Sequence, residues 1–120
     1  MVDIALPTFP DEQSLFRDET PDETAARIEK CGVGEIVVKN GEEPATILHY
    51  GDRQLSPAKA VTPVDTTGAG DSFNGAYLAA RLLGDTPAEA ARRAHQVAGA
   101  VIQVRGALAP HETLRAAFGA

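Results

Sequence analysis

The chain has 120 residues, 43% of them apolar, and a formal net charge of −6. That length suits one domain with a modest core, and that apolar share is too high for intrinsic disorder. Residues 1–60 hold 12 acidic and 6 basic groups and residues 61–120 hold 5 of each. There is no basic stripe, so the expectation is no nucleic-acid partner.

Near Met1 the apolar start is interrupted by Asp3, Pro7 and Pro10, unlike a signal peptide. Val2 to Leu6 reads as a short buried strand ended by Pro7, and Pro10 to Phe16 as a short helix. Thr20-Pro21-Asp22-Glu23 is a strong helix start, with Thr as N-cap, Pro at the first helical position and Glu completing a capping box. That helix is expected to run to Lys30, with Gly32 as its stop. Cys31 is the single cysteine, which excludes an internal disulfide framework and reads as a surface thiol in a reducing compartment. Glu35 to Lys39, with its β-branched Ile36-Val37-Val38, reads as a buried strand. Asn40-Gly41 signals a turn, Ala45 to Tyr50 the next strand, and Gly51-Asp52 a turn into an extended stretch from Arg53 to Ala58.

The second half reads as mostly helical. From Ser72 to Leu83 apolar residues occupy nearly every side, which predicts a helix buried all round. Thr86-Pro87-Ala88-Glu89 repeats the capping pattern and opens an alanine-rich helix to about Val104, ended by Gly106. A short helix from His111 to Phe118 follows. Strands alternating with helices indicate an α/β class. With only about two fully buried strands, the helix at 72–83 lacks the cover it needs, so a further portion of structure is expected beyond this chain. No apolar run approaches the roughly 20 residues of a membrane-spanning helix, and a cytoplasmic location with no membrane partner is expected.

Asp65-Thr66-Thr67-Gly68-Ala69-Gly70-Asp71-Ser72-Phe73 places two glycines and a carboxylate where an apolar helix begins. Glycines let backbone N–H groups converge on an anion, and the helix N-terminus adds a partial positive charge. Side chains at 68 and 70 would obstruct that approach. An aspartate at such a turn stands ready to accept a proton from an attacking hydroxyl, as phosphoryl transfer requires. The bland alternative for the segment is a loop with a helix N-cap.

The nine-residue string resembles the C-terminal signature of the ribokinase-like, or PfkB, carbohydrate kinases. The resemblance covers essentially all of this chain, but only the nucleotide-binding C-terminal portion of the family. The portion that supplies the sugar pocket and its β-sheet lid is not in it. The resemblance implies residues 1–120 are a partial kinase domain within a three-layer α/β/α sandwich. It implies Asp71 as general base, with the amides of Gly68, Ala69, Gly70 and Asp71 forming an anion hole. Asp65 and Thr67 match positions that hold a monovalent cation such as K⁺ in many members, together with carbonyls from 101–106. Alternatively Asp65 only caps the turn. Lys39-Asn40-Gly41 resembles a nucleotide-side loop, although Pro44 stands where the family often has a second glycine; an ordinary hairpin turn is the other reading. His95, with the small Ala98 and Gly99, resembles the border of the adenine ring, or is a half-exposed helix residue. Residues 6–12 correspond to the family's Asn-x-x-Glu region, with Thr8 for Asn and Asp11 for Glu and with Glu12 adjacent. Asp11 is the candidate for Mg²⁺ through water, against an exposed acidic helix start. This region and the Val-Val-Lys-Asn-Gly at 37–41 resemble the branch acting on 2-keto-3-deoxygluconate.

The resemblance therefore implies an ATP- and Mg²⁺-dependent transfer of phosphate to a sugar or sugar acid, most like 2-keto-3-deoxygluconate to its 6-phosphate. Fructose or ribose are alternative substrates within the family. A competing reading from another class is a non-catalytic nucleotide-binding remnant. A homodimer is expected only if the sugar-binding and lid portion is present.

Overall fold

A computed structural model describes residues 3–58, 69–103 and 118. The described residues carry strands β1 (Ile4–Ala5), β2 (Glu35–Asn40), β3 (Glu43–His49) and β4 (Asp52–Ser56). They also carry helices α1 (Phe9–Phe16), α2 (Pro21–Glu29), α3 (Ala69–Leu82) and α4 (Pro87–Gln103). The chain divides into two compact units, residues 1–58 and 59–120.

In the first unit the strands form one sheet in the order β1-β2-β3-β4. β1 runs parallel to β2, with Ile4 opposite Glu35, and β2-β3-β4 are antiparallel. The mixed sheet follows from the connections: a helical crossover between β1 and β2, and two tight hairpins after it. Ile36, Val37 and Val38 of β2 are fully buried, as expected of a strand covered on both faces. Ile36 and Val38 pack with Ala25 of α2 and Val33, backed by Ala5, Phe9, Ile28 and Leu48. Period-two alternation puts Val37, with its partner Ile47, on the opposite face.

The strands differ in detail from the sequence expectation. β1 is shorter than Val2–Leu6, and β3 begins at Glu43 because a two-residue turn, Gly41-Glu42, closes the hairpin at once. Gly41 has φ +59, a conformation glycine adopts without strain. Register shifts between Val38 and Asn40, which face Thr46 and Glu43. Pro44 falls within that irregularity, where a residue without an N–H costs the ladder little.

Helix α2 starts as its sequence predicts: Thr20 Oγ1 accepts the Glu23 N–H at 3.2 Å. The reciprocal bond is displaced by one residue, because the Glu23 carboxylate accepts the N–H of Glu19 at 2.6 Å, not that of Thr20.

The second unit is built on an α3–α4 hairpin. Phe73, Ala76, Tyr77 and Ala80 of α3 are buried, as are Ala90, Ala91, Ala94 and Val97 of α4. Both sets recur at three- and four-residue intervals, giving each helix one apolar stripe. The small alanines of α4 leave room for the rings of Phe73 and Tyr77, whose centroids lie 6.2 Å apart in near-parallel planes. α3 ends in a Schellman motif: Asp85 N–H donates to Ala80 O and Gly84 N–H to Arg81 O, with Gly84 at φ +100. Arg93 of α4 lies 3.0 Å from Asp85 and 5.2 Å from the Phe118 ring centroid.

Within this chain alone, the helix expected to be buried all round is covered on one side only. Leu78, Leu82 and Leu83 are exposed, Leu82 at 89%. A helix in a two-helix hairpin can bury only the stripe that faces its partner. The helix also begins at Ala69, three residues earlier than Ser72, so Ala69, Gly70 and Asp71 belong to its first turn.

Candidate functional site

In the second unit, Gly70 and Asp71 are exposed in the first turn of α3. The first N–H groups of an α-helix have no acceptor within it and carry the positive end of the dipole. The backbone of Ala69, Gly70 and Asp71 supplies such groups, with a carboxylate in the same turn. A side chain at 70 would stand among them, so glycine there keeps the approach open. Gly68, Asp65 and Thr67 lie outside the described residues. So do 104–106 of the expected cation segment and most of the expected helix at 111–118, of which Phe118 alone is described, as helical.

His95 lies half-buried in α4, its ring edge-on to Phe73 at 5.0 Å between centroids. It is therefore part of the α3–α4 packing. Ala98 is half-buried and Gly99 buried on the same helix.

In the first unit, the parallel strands β1 and β2 end side by side. Lys39 donates its N–H to Pro7 O at 2.9 Å, and Thr8 forms a parallel bridge with Lys39. This joins the segment 6–12 to the Lys39-Asn40-Gly41 turn at the carboxyl ends of the strands, the edge where open α/β sheets bind ligands. Thr8 is the N-cap of α1 by backbone geometry, without a side-chain cap bond. Asp11 is exposed in the first turn of α1 and Glu12 is half-buried. The Lys39 turn is a hairpin, as the plainer reading had it, and it also lies beside α1.

Sequence reading missed a polar network beneath α1. Asp18 is buried, at 7% exposure. It accepts hydrogen bonds from Thr24 Oγ1 at 2.7 Å and from Arg27 Nη2 at 2.9 Å and Nε at 3.3 Å. The same Arg27 Nη2 lies 2.9 Å from Glu12 Oε2, and the guanidinium stacks 3.9 Å from the Phe16 ring centroid. The partners stand 6, 9 and 15 residues apart, so no local spacing marks them. The hydrogen bonds of Arg27, and then of Thr24, hold the Asp18 carboxyl below its ordinary value of 3.8. Because the folded value is the lower one, ionised Asp18 stabilises the fold above pH 3.8 and loses that contribution as pH falls through the folded value. Thermal melts from pH 7 down to 2.5 are therefore expected to fall more steeply for the wild type than for Asp18→Asn, the two curves converging in acid.

Magnesium needs oxygen donors and typically uses one or two carboxylates, keeping waters and substrate phosphates for the rest. Among the described residues no group of three or more His, Cys, Asp or Glu gathers as a metal cage. The exposed Asp11 at a strand's carboxyl end fits this sparse mode, and Glu12 is already held by Arg27. Among the described residues no helix is long and apolar enough to cross a membrane.

These features define a class: an α/β chain with a mixed sheet in one unit and a Gly-Asp helix start in the other. The chain is similar to solved ribokinase structures. Against ribokinase from Thermotoga maritima the TM-score is 0.84 at 27% identity, covering 98% of this chain and 42% of that one. Against an Escherichia coli protein of the ribokinase II type, in complex with ATP and Mg²⁺, it is 0.81 at 28% identity, covering 98% and 39%. The model of the pfkB family of carbohydrate kinases matches residues 1–114, and the chain belongs to that family. It is 39% identical over 118 residues to the 2-dehydro-3-deoxygluconokinase of Escherichia coli K12, covering 95% of this chain and 38% of the relative. The chain thus spans under two fifths of the length of that curated relative.

Proposed function

We propose that this chain is the nucleotide-binding and phosphoryl-transfer portion of an ATP-dependent sugar kinase. The proposed substrate is 2-keto-3-deoxygluconate, phosphorylated at its 6-hydroxyl, the substrate read from relatives about 40% identical. In this reading residues 1–120 are a partial kinase domain, completed by a sugar-binding portion. The observation that carries it is the exposed Asp71 in the first turn of α3, directly after Gly70.

Asp71 takes the proton of the substrate hydroxyl as its oxygen attacks the γ-phosphorus. An O–P bond forms, the bond from the γ-phosphorus to the β,γ-bridging oxygen breaks, and ADP departs with the released electron pair. The amides of residues 68–71 donate to the phosphoryl oxygens, where charge must be held while both bonds are partial. By the family resemblance, Lys39 and Gly41 would be nucleotide-side residues, and His95 and Ala98 adenine-side ones. Asp11 would hold magnesium through a water, and the ion would supply neutralisation of phosphate charge; Asp65 and Thr67 would hold a monovalent cation such as K⁺. The soluble partners are then ATP and a small sugar acid, in the cytoplasm.

A coupled assay of ADP release with 2-keto-3-deoxygluconate, fructose and ribose tests the reading. Turnover is expected with the sugar acid and much less with the others. ATP binding, seen as a rise in melting temperature, without turnover on any sugar would instead identify a non-catalytic nucleotide-binding remnant.

A further inference from the structure

Two adjacent carboxylates, Asp11 and Glu12, open α1, and the structure treats them differently. Successive residues on an α-helix are about 100° apart around its axis, so they cannot share one direction. Glu12 turns inward to the cluster under the helix, where Arg27 Nη2 lies 2.9 Å from its Oε2. That nitrogen is also 2.9 Å from Asp18 Oδ2. Arg27 is itself immobilised three ways: by Asp18, which Thr24 further orients; by Glu12; and by the Phe16 ring beneath it. A planar guanidinium with several donors can satisfy two carboxylates and stack at once, which an ammonium cannot. The network therefore links the first turn of α1, its last residue, the following loop and α2.

The other end of α1 is tied to the sheet. Thr8 bridges to Lys39, and the Lys39 N–H donates to Pro7 O. With its entry held at the strand ends and Glu12 drawn under it, the helix has its rotation about its own axis set. Asp11 is left exposed beside the carboxyl ends of β1 and β2.

We infer that Arg27 is a positioning residue for the magnesium–nucleotide end of the sheet: by committing Glu12 to the Asp18 cluster, it fixes α1 so that Asp11 alone of the pair is offered there. The inference rests on the kinase reading above. It assigns Glu12 to scaffold although its charge and place in sequence make it as plausible a magnesium carboxylate as its neighbour.

The test measures the affinity of the full chain for a fluorescent ATP analogue, once with Mg²⁺ and once with EDTA, and takes the ratio as the magnesium gain. Melting temperatures are recorded for every variant. Asp11→Asn is expected to cut the gain by about tenfold, in the range seen when groups around a bound metal are removed. Glu12→Gln, which keeps an acceptor for Arg27, is expected to hold the gain within about twofold. Arg27→Ala is expected to lower the gain several-fold, roughly the low end of that outer-shell range, with the EDTA affinity unchanged. Arg27→Lys should recover part of it. A purely structural role would lower the melting temperature and both affinities together. If Glu12→Gln abolishes the gain while Asp11→Asn keeps it, or if folded Arg27→Ala retains the full gain, the inference is overturned. If Arg27→Ala does not fold, Arg27→Lys and the two carboxylate variants decide. Wild type that binds the analogue with no magnesium gain overturns this inference and leaves nucleotide binding standing; wild type that binds it in neither condition overturns the kinase reading as well.

Discussion

Asp71→Asn is expected to lower turnover by about 10²–10⁴-fold, the usual contribution of a positioned general base. The substitution keeps the shape and removes the charge, so the amide can no longer take the proton. Asp71 is exposed in the first turn of α3, not part of the α3–α4 core. Its replacement should therefore leave the melting temperature nearly unchanged. ATP affinity should stay the same or rise slightly, since a negative charge beside the phosphates has been removed. The coupled ADP assay and an ATP titration check these outcomes on the active kinase. Full activity in the Asn variant would refute the base assignment.

Tyr77→Ala is expected to cost about 3–5 kcal/mol of stability, in the range for truncating a large buried ring. Tyr77 is fully buried between α3 and α4 and stacks near-parallel on Phe73. The facing helix α4 buries the small residues Ala90, Ala91 and Ala94 completely. Alanine methyl groups cannot extend to fill the space a phenol leaves, so the cavity term is added to the lost transfer energy. Against a typical domain stability of about 5–15 kcal/mol, that is a large share of the total. Leu82→Ala, five residues on and 89% exposed, should change stability by no more than about 0.5 kcal/mol. Urea unfolding of both variants checks the contrast. Loss of Tyr77 should also disturb the ring contact of Phe73 with His95, so a weaker nucleotide response in a still-folded variant is expected.

Much of the fold was legible because its signals are local. Thr20 and Thr86 cap helices with their own hydroxyls, accepting from Glu23 and Glu89 N–H. The β-branched run at 36–38 makes the central strand, and Gly41 and Gly84 stand where the backbone turns to positive φ. The proposed catalytic turn stands out for the same reason, since its glycines and Asp71 are contiguous. What failed to show was whatever depended on distant partners. Parallel pairing of β1 with β2 needs the whole crossover to form first. Arg27 offers no sign in sequence that it will meet both Asp18 and Glu12. The apolar run at 72–83 shows that the helix wants cover on several sides, but composition reports how apolar a face is and not which stripe α4 covers.

The sequence alone thus determined the family and the order of the described elements, both carried by neighbouring residues whose backbone needs are intrinsic. Only the tertiary structure decided which of two adjacent carboxylates is exposed and which is tied to Arg27, and which side of α3 is core. The physical reason is common to both. Direction around a helix is set by 3.6 residues per turn, but what lies in each direction is set by elements that arrive from elsewhere in the chain.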